Sequence, residues 1–211
     1  MSTTNTRIDE EMEKNPIVLF QKLHEEYKNS LSKEQLNSEY PFIMTIATCT
    51  KSGFPSARQV LLKYVKEEGF IFFTNYLSRK GKEIEENPNV ALVFYWKEIG
   101  RQIRVEGGIE KISKEESDKY FNTRPRSSQI NSILSKQSQI LKNKKEFEKE
   151  IEIMENKKQE SFERPENWGG FLIKPKFIEF WKNGDYRLHH RLKYSLKNEE
   201  KNEWKIEILY P

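Results

Sequence analysis

Two runs, ARQVLLKYV at residues 57–65 and GFIFFTN at residues 69–75, decide the fold. Both are short and rich in Val, Leu, Ile, Phe and Tyr, and Glu68-Gly69 supplies a turn between them. That combination predicts neighbouring antiparallel strands. Outward from this pair, the same texture fills residues 42–49, 89–96 and 100–112, with turn signals at Ser52-Gly53, Asn87-Pro88 and Gly100. It returns at 170–181, 186–194 and 203–209. One short helix is expected to interrupt the meander at about 79–86, after Ser78 and before Asn87-Pro88.

Helical signals flank these strands. Asn15-Pro16 reads as an N-cap followed by proline at the first helical position, and Leu19, Phe20, Leu23 and Tyr27 follow at helical spacing. An amphipathic helix is therefore expected over 16–29, with a polar connector over 30–40. Ser113 and Glu116 fit a capping box, opening a helix that runs to about Asn122 and ends before Arg124-Pro125. A second helix is expected from Ser127 or Ser128. Residues 143–158 are dense in Lys and Glu, with Phe147, Ile151 and Met154 on one side, which reads as a solvated helix. Strands and helices that come in separate runs argue an α+β fold, mainly β, and not a parallel doubly wound sheet. A mobile arm over 1–14 and a single domain over 15–211 are expected.

Composition bounds the function. The chain has 211 residues, 37 basic and 33 acidic, for a formal net charge of +4 at pH 7. That balance argues against a nucleic-acid partner. Hydrophobic residues make up 35% and charged residues 33%, so the apolar supply is thin and a homo-oligomer is expected. Cys49 is the single cysteine, which excludes an intrachain disulfide and a cysteine metal cluster. With histidines only at 24, 189 and 190, a zinc site is not expected, and His24 reads as a surface residue of the first helix. Met1 to Lys14 contain no apolar stretch, and no run reaches the length of a membrane span, so a soluble cytoplasmic protein is expected. The dinucleotide fingerprint, the phosphate loop, the G-x-S-x-G elbow and H-E-x-x-H are absent.

Four clusters carry chemistry. Arg79 and Lys80 follow Ser78 in a first helical turn, where the helix dipole disfavours cations by about 0.3–1 kcal/mol each. An anion at that terminus would give backbone N–H groups and both cations a common target; two solvated surface residues are the alternative. Arg58 and Lys63 lie in a strand-like run, where regular alternation puts them on opposite faces. They would then serve two different anions, unless a bulge realigns them. Tyr120, Arg124 and Ser128 recur every four residues across a helix break, and phenol, guanidinium and hydroxyl together suit a phosphate ester; a local cap is the competing reading. Arg187, His189 and Arg191 would share one face of a strand, close to Glu179-Phe180-Trp181. Three such groups on one face call for an anionic or aromatic ligand, or else mark an exposed edge strand.

Taken in order, these segments resemble the pyridoxine (pyridoxamine) 5′-phosphate oxidase family. The matching blocks are Arg58 to Lys63, Phe72 to Asn75, Ser78 to Lys80, Arg101 to Gly107, Tyr120 to Arg126, Ser128-Gln129, Ser135 to Ser138, Arg164 to Phe171 and Trp181 to Arg191, within about residues 16–211. The resemblance implies an FMN-binding split β-barrel with peripheral helices, dimeric, with flavin at the subunit interface. It implies a phosphate grip of Arg58, Arg79 and Lys80 on FMN. Further flavin contacts would come from Gln59, Val60, Leu61, Leu62, Lys63, Phe73, Thr74, Gln102, Gln137 and Ser138, with Trp181 and Arg191 donated by the other subunit. Lys63, Tyr120, Arg124 and Ser128 would form a substrate phosphate pocket. Arg187 and His189, with Leu188, would meet the pyridine ring as the catalytic pair. The implied reaction oxidises pyridoxamine or pyridoxine 5′-phosphate to pyridoxal 5′-phosphate, with O2 as acceptor, H2O2 as product and NH3 released from the amine. The alternative is a non-catalytic flavin- or pyridoxal-phosphate-binding split barrel. The sequence departs from the family pattern at Lys182, His190 and the C-terminal Ile208-Leu209-Tyr210-Pro211, and its N-terminal arm is short.

Overall fold

A computed structural model describes residues 13–158 and 161–211. The arm expected over 1–14 therefore lies outside the described residues except for its last two positions, and the Tyr194 hydroxyl donates to the Glu13 carbonyl over 2.7 Å. The elements in chain order are α1 (Pro16–Ser30), α2 (Lys33–Leu36), β1 (Ile43–Cys49), β2 (Pro55–Leu61), β3 (Tyr64–Lys66), β4 (Gly69–Asn75), α3 (Arg79–Glu86), β5 (Asn89–Trp96), β6 (Arg101–Lys111), α4 (Lys114–Asn122), α5 (Arg126–Leu134), α6 (Lys144–Glu155), β7 (Trp168–Lys182), β8 (His190–Asn198) and β9 (Glu203–Leu209). The fold is α+β and mainly β, as the strand texture predicts.

Every strand pair is antiparallel. The sheet runs β2-β1-β5-β6-β7-β4-β3, with β8 on β7 and β9 on β8. Its ends, β2 and β3, are not paired with each other, so the sheet stays open. The long strand β7 organises it. Residues 168–173 pair with β4 and residues 177–182 with β8, while β6 lies along the other edge. A bulge sits where Gly107 pairs with Pro175 and Glu106 with Phe177. A Cβ on Gly107 would stand 2.0 Å from the Lys174 carbonyl oxygen, so only glycine fits that crossing.

The main core closes beneath α1. Phe20 is fully buried, with ring centroids 4.8 Å from Phe70, 4.9 Å from Phe94 and 5.4 Å from Trp96. His24 belongs to this packing and is not the surface residue expected: its ring stacks on Trp96 at 5.4 Å and its Nε2 donates to the Pro41 carbonyl over 2.9 Å. Burial holds its pKa below the usual imidazole value. A second cluster of Phe121, Ile130, Phe162 and Trp168 ties α4 and α5 to the start of β7, and Ile151 and Met154 of α6 pack on it.

The run 57–65 is not one strand. Leu62 donates its amide to Phe42, beside β1, whereas Lys63 donates to Ile71 of β4. The chain changes partners between those two residues, so β2 ends at Leu61 and β3 begins at Tyr64. The connector 30–40 contains α2, closed by a reciprocal capping box between Ser32 and Gln35. The capping box expected at Ser113 forms only by half. Ser113 Oγ accepts from the Glu116 amide, but the Glu116 carboxylate pairs with Lys66. The helix expected from Ser127 or Ser128 starts at Arg126, and the Lys/Glu-rich helix spans Lys144–Glu155, shorter than 143–158. The strand expected over 186–194 begins at His190, because residues 185–187 form a tight turn in which Tyr186 and Arg187 have φ of 53° and 65°. Among the described residues, no helix is long and apolar enough to cross a membrane.

Candidate functional site

The turn from β4 into α3 places the first cation. Ser78 caps α3 by accepting the Gly81 amide at 3.3 Å. A Cβ on Gly81 would stand 2.0 Å from the Tyr76 carbonyl oxygen, so glycine lets the helix seat tightly against the strand end. Lys80 is thereby buried, and its Nζ meets three neutral oxygens: Thr74 Oγ1 at 3.2 Å, Ser78 Oγ at 3.4 Å and Gln137 Oε1 at 3.4 Å. Burial, with nearby Arg58 adding to it, pushes the Lys80 pKa down to about 8.

Arg79 does not converge with Lys80 as the sequence suggests. Its Nε instead donates to Glu83 Oε1 over 2.8 Å, one helical turn on. Glu83 is buried, and its Oε2 accepts from Thr48, from Ser56 at 2.5 Å and from Arg58 Nη2 at 3.2 Å. Burial alone would raise its pKa, but those donors hold it at about 2. Arg79 and Ser138 line a shallow depression next to the main cavity, with Gln137 common to both.

That main cavity holds about 680 Å³, within the range of small-ligand sites. Arg58, Gln59, Val60 and Leu61 of β2 form one wall, continued by Lys63. Phe73, Thr74, Lys80 and Gln137 line another part, and Tyr120, Arg124 and Ser128 complete the lining toward α4 and α5. Leu62, expected here, points into the core and is 2% exposed. The corner between β2 and β3 resolves the parity conflict of Arg58 and Lys63, since both reach one cavity from different strand environments.

The cations in this cavity form two poles. Lys80 and Lys63 are both depressed first by burial, to which Arg58 adds for Lys80 and Arg124 adds for Lys63, the Glu39 carboxylate opposing the shift of Lys63. Among the described residues Lys63, Lys80 and Arg124 form no ion pair, and Glu39 is the one carboxylate lining the cavity. The Arg124 guanidinium lies 4.4 Å above the Trp168 ring and donates to Ser132 Oγ over 2.6 Å. Tyr120 stacks on Phe73 at 3.8 Å. Burial raises the Tyr120 pKa, so its phenol keeps its proton as a donor at neutral pH.

A second set of residues gathers elsewhere. Gln102 faces Trp181 in the β6–β7 register, and Trp181 faces Arg191 in the β7–β8 register, so the three share one face. The His189 ring lies 4.6 Å from Trp181, and its Nδ1 accepts the Gly184 amide at 3.3 Å, leaving the proton of neutral imidazole on Nε2. Arg191 donates to Glu179 Oε1 over 2.7 Å. Arg187 and Leu188 are exposed on the preceding turn. Arg187, His189 and Arg191 therefore do not line up along one strand; positive φ at Arg187 breaks the alternation. Within one chain, none of these six residues lines the main cavity.

In the sequence Trp168 has a place in a matching block but no role, and the structure puts it beneath Arg124; Glu83, which gathers two arginines, has no place among the residues singled out above. The Arg79–Glu83 spacing of i,i+4 is a visible signal for the latter; the contact from Arg58 across the sheet is not.

Comparison with known proteins adds relatives. The family described as "Pyridoxamine 5'-phosphate oxidase" matches residues 31–158, and the "Pyridoxine 5'-phosphate oxidase C-terminal dimerisation region" matches residues 168–211. A pyridoxine/pyridoxamine 5′-phosphate oxidase of Wolbachia pipientis wMel is 47% identical over 201 residues, covering 95% of this chain and 89% of its own length. One from Ehrlichia ruminantium (strain Welgevonden) is 46% identical, covering 94% of this chain and 98% of that protein. Among solved structures, PhzG from Burkholderia lata 383, in complex with tetrahydrophenazine-1-carboxylic acid, superposes with a TM-score of 0.88 at 27% identity, covering 97% of this chain and 96% of that one.

Proposed function

The chain belongs to the pyridoxamine 5′-phosphate oxidase family of oxidoreductases, and from that premise we propose that it oxidises pyridoxamine or pyridoxine 5′-phosphate to pyridoxal 5′-phosphate, with FMN as cofactor and O2 as electron acceptor. The observation that carries this reading is the pair of cationic poles in one cavity, Arg58 with Lys80 and Lys63 with Arg124. One phosphorylated ligand needs one pole, whereas a flavin phosphate and a substrate phosphate need two. A mere flavin or pyridoxal-phosphate holder has no use for the second.

The residues fit FMN. Among the described residues, the hydrogen bonds of buried Lys80 go to neutral oxygens, which suits a phosphate. Arg58, Arg79 and Lys80 would hold that phosphate, with Gln59, Val60, Leu61, Thr74, Gln137 and Ser138 alongside. Gln102, Trp181 and Arg191 would reach the flavin from a second copy of the chain. The family match of residues 168–211 to a dimerisation region supports a homodimer. A single domain over 15–211 acting in the cytoplasm is consistent with this reading.

Bound FMN would supply the hydride acceptor and return the electrons to O2 as H2O2. The chain's own residues do the positioning. Lys63, Arg124, Tyr120 and Ser128 bind the substrate phosphate through charge-assisted hydrogen bonds worth about 1.5–3 kcal/mol each, fixing the ring far from its reacting carbon. Arg187 covers the pyridine ring, and His189 orients the amine or alcohol at C4′ through Nε2, while the proton lost together with the hydride passes to solvent. Steady-state assay tests this. Pyridoxal 5′-phosphate should appear with equimolar O2 uptake and H2O2 release; binding of both ligands without turnover would favour the non-catalytic reading.

Lys80 gives the site a pH signature. Its pKa of about 8 in the flavin-free protein means that it is already charged below that pH. Above it, phosphate binding must take up a proton, so the Kd for FMN is expected to rise with pH from about 8, by up to about tenfold per unit. Riboflavin, without the phosphate, should show no such rise. The flavin-free fold gains stability over the same interval, because the unfolded chain retains a proton the folded chain has lost. Fluorescence titrations from pH 7 to 9.5 check this; parallel profiles for the two flavins contradict it.

A further inference from the structure

We propose that Glu83 is a positioning residue for the phosphate end of the flavin site, acting through Arg79 and Arg58. The inference rests on the FMN reading above and adds a residue to it.

The geometry is specific. Glu83 lies on the inner face of α3, with its side chain 5% exposed, whereas the side chain of Arg79 is 56% exposed. Its Oε1 takes Arg79 by Nε, which leaves both terminal nitrogens of that guanidinium free for a bidentate contact. Its Oε2 takes Arg58 by Nη2, while Arg58 Nη1 is held by Thr48. Thr48 and Ser56 also donate to the carboxylate, so Glu83 is itself fixed by two hydroxyls from the neighbouring strands. One buried anion thus ties an arginine of α3 to an arginine of β2 beside the buried Lys80. Without it, Arg79 becomes a long, solvated side chain that must be immobilised each time a phosphate binds. The Glu83 charge opposes the phosphate through space, but it is spent in hydrogen bonds to four donors and the depression beside Arg79 is open to screening water. Ordering therefore outweighs repulsion.

The test compares FMN with riboflavin, which lacks the phosphate, on wild-type protein and Glu83→Gln. The amide preserves shape and removes the second strong acceptor. Affinity for FMN should weaken about tenfold, with riboflavin affinity changed less than about twofold. In an Arg79→Ala background, the part of the Glu83→Gln effect that runs through Arg79 should vanish, leaving only the smaller part carried by Arg58. Tighter or unchanged FMN binding by Glu83→Gln overturns the proposal, as does equal weakening for both flavins, which marks a merely structural role. Should Glu83→Gln fail to fold, Glu83→Asp keeps the charge but shortens its reach to Arg79 and should show the same selective loss for FMN; an equal response of both flavins overturns the proposal there too. If wild-type protein binds no FMN, the underlying reading fails instead, and the two failures are told apart by that first titration.

Discussion

Arg79→Ala combined with Lys80→Ala is expected to release flavin from the protein. Together these side chains would supply two charge-assisted bonds to one phosphate, about 3–6 kcal/mol in sum, or about 10²–10⁴-fold in Kd. The loss should fall mainly on the cofactor. Lys80 carries an unfavourable burial that its removal relieves, whereas losing Arg79 takes one of four donors from the buried Glu83 carboxylate and costs some stability. Gel filtration followed by a visible spectrum is the check: wild-type protein should elute yellow and the double variant colourless, with a similar far-ultraviolet circular dichroism spectrum. A double variant that keeps stoichiometric flavin would mean that the phosphate sits elsewhere.

Arg187→Ala is expected to do the opposite, keeping flavin and losing turnover. Arg187 is exposed on a turn with positive φ and lines no part of the main cavity within its own chain. Its proposed task is to cover the substrate ring in the partner's cavity, and misplacing a reacting ring by about 1 Å costs about 10²-fold in rate. kcat should therefore fall roughly 10²-fold or more, with flavin content unchanged. Full activity in this variant would remove Arg187 from the site. Mixing it with the Arg79/Lys80 double variant offers a complementary reading. Hybrid dimers would hold one cavity with both halves intact, so activity should reappear on subunit exchange.

Much of this was legible in the sequence because the signals are local. The α3 boundaries follow from Ser78 at one end and Asn87-Pro88 at the other, and the structure places the helix at Arg79–Glu86. The strands at 69–75 and 89–96 stand where their apolar runs end. What local pattern does not carry is partner exchange. Nothing in the run 57–65 says that Leu62 bonds toward β1 while Lys63 bonds toward β4, yet that switch sets which way Lys63 points. The turn at 185–187 was hidden for a similar reason. Tyr186 and Arg187 are ordinary strand formers by composition, and only the fold requires them in the left-handed region. His24 looked like a surface residue because its helix neighbours are charged, whereas Trp96, distant in sequence, is what covers it. At the site, types and order of residues pointed to two phosphates. Their grouping into two poles, and the role of Glu83 between strands and helix, needed the tertiary contacts.

One cavity is proposed to seat a flavin and a B6 phosphate against each other, closed by residues of a second chain. Anaerobic addition of pyridoxamine 5′-phosphate to the flavin-loaded dimer tests it most directly. The yellow absorbance is expected to bleach at one equivalent of substrate per site and to return on admitting air, with pyridoxal 5′-phosphate left in solution. A spectrum that stays oxidised under saturating substrate would contradict it.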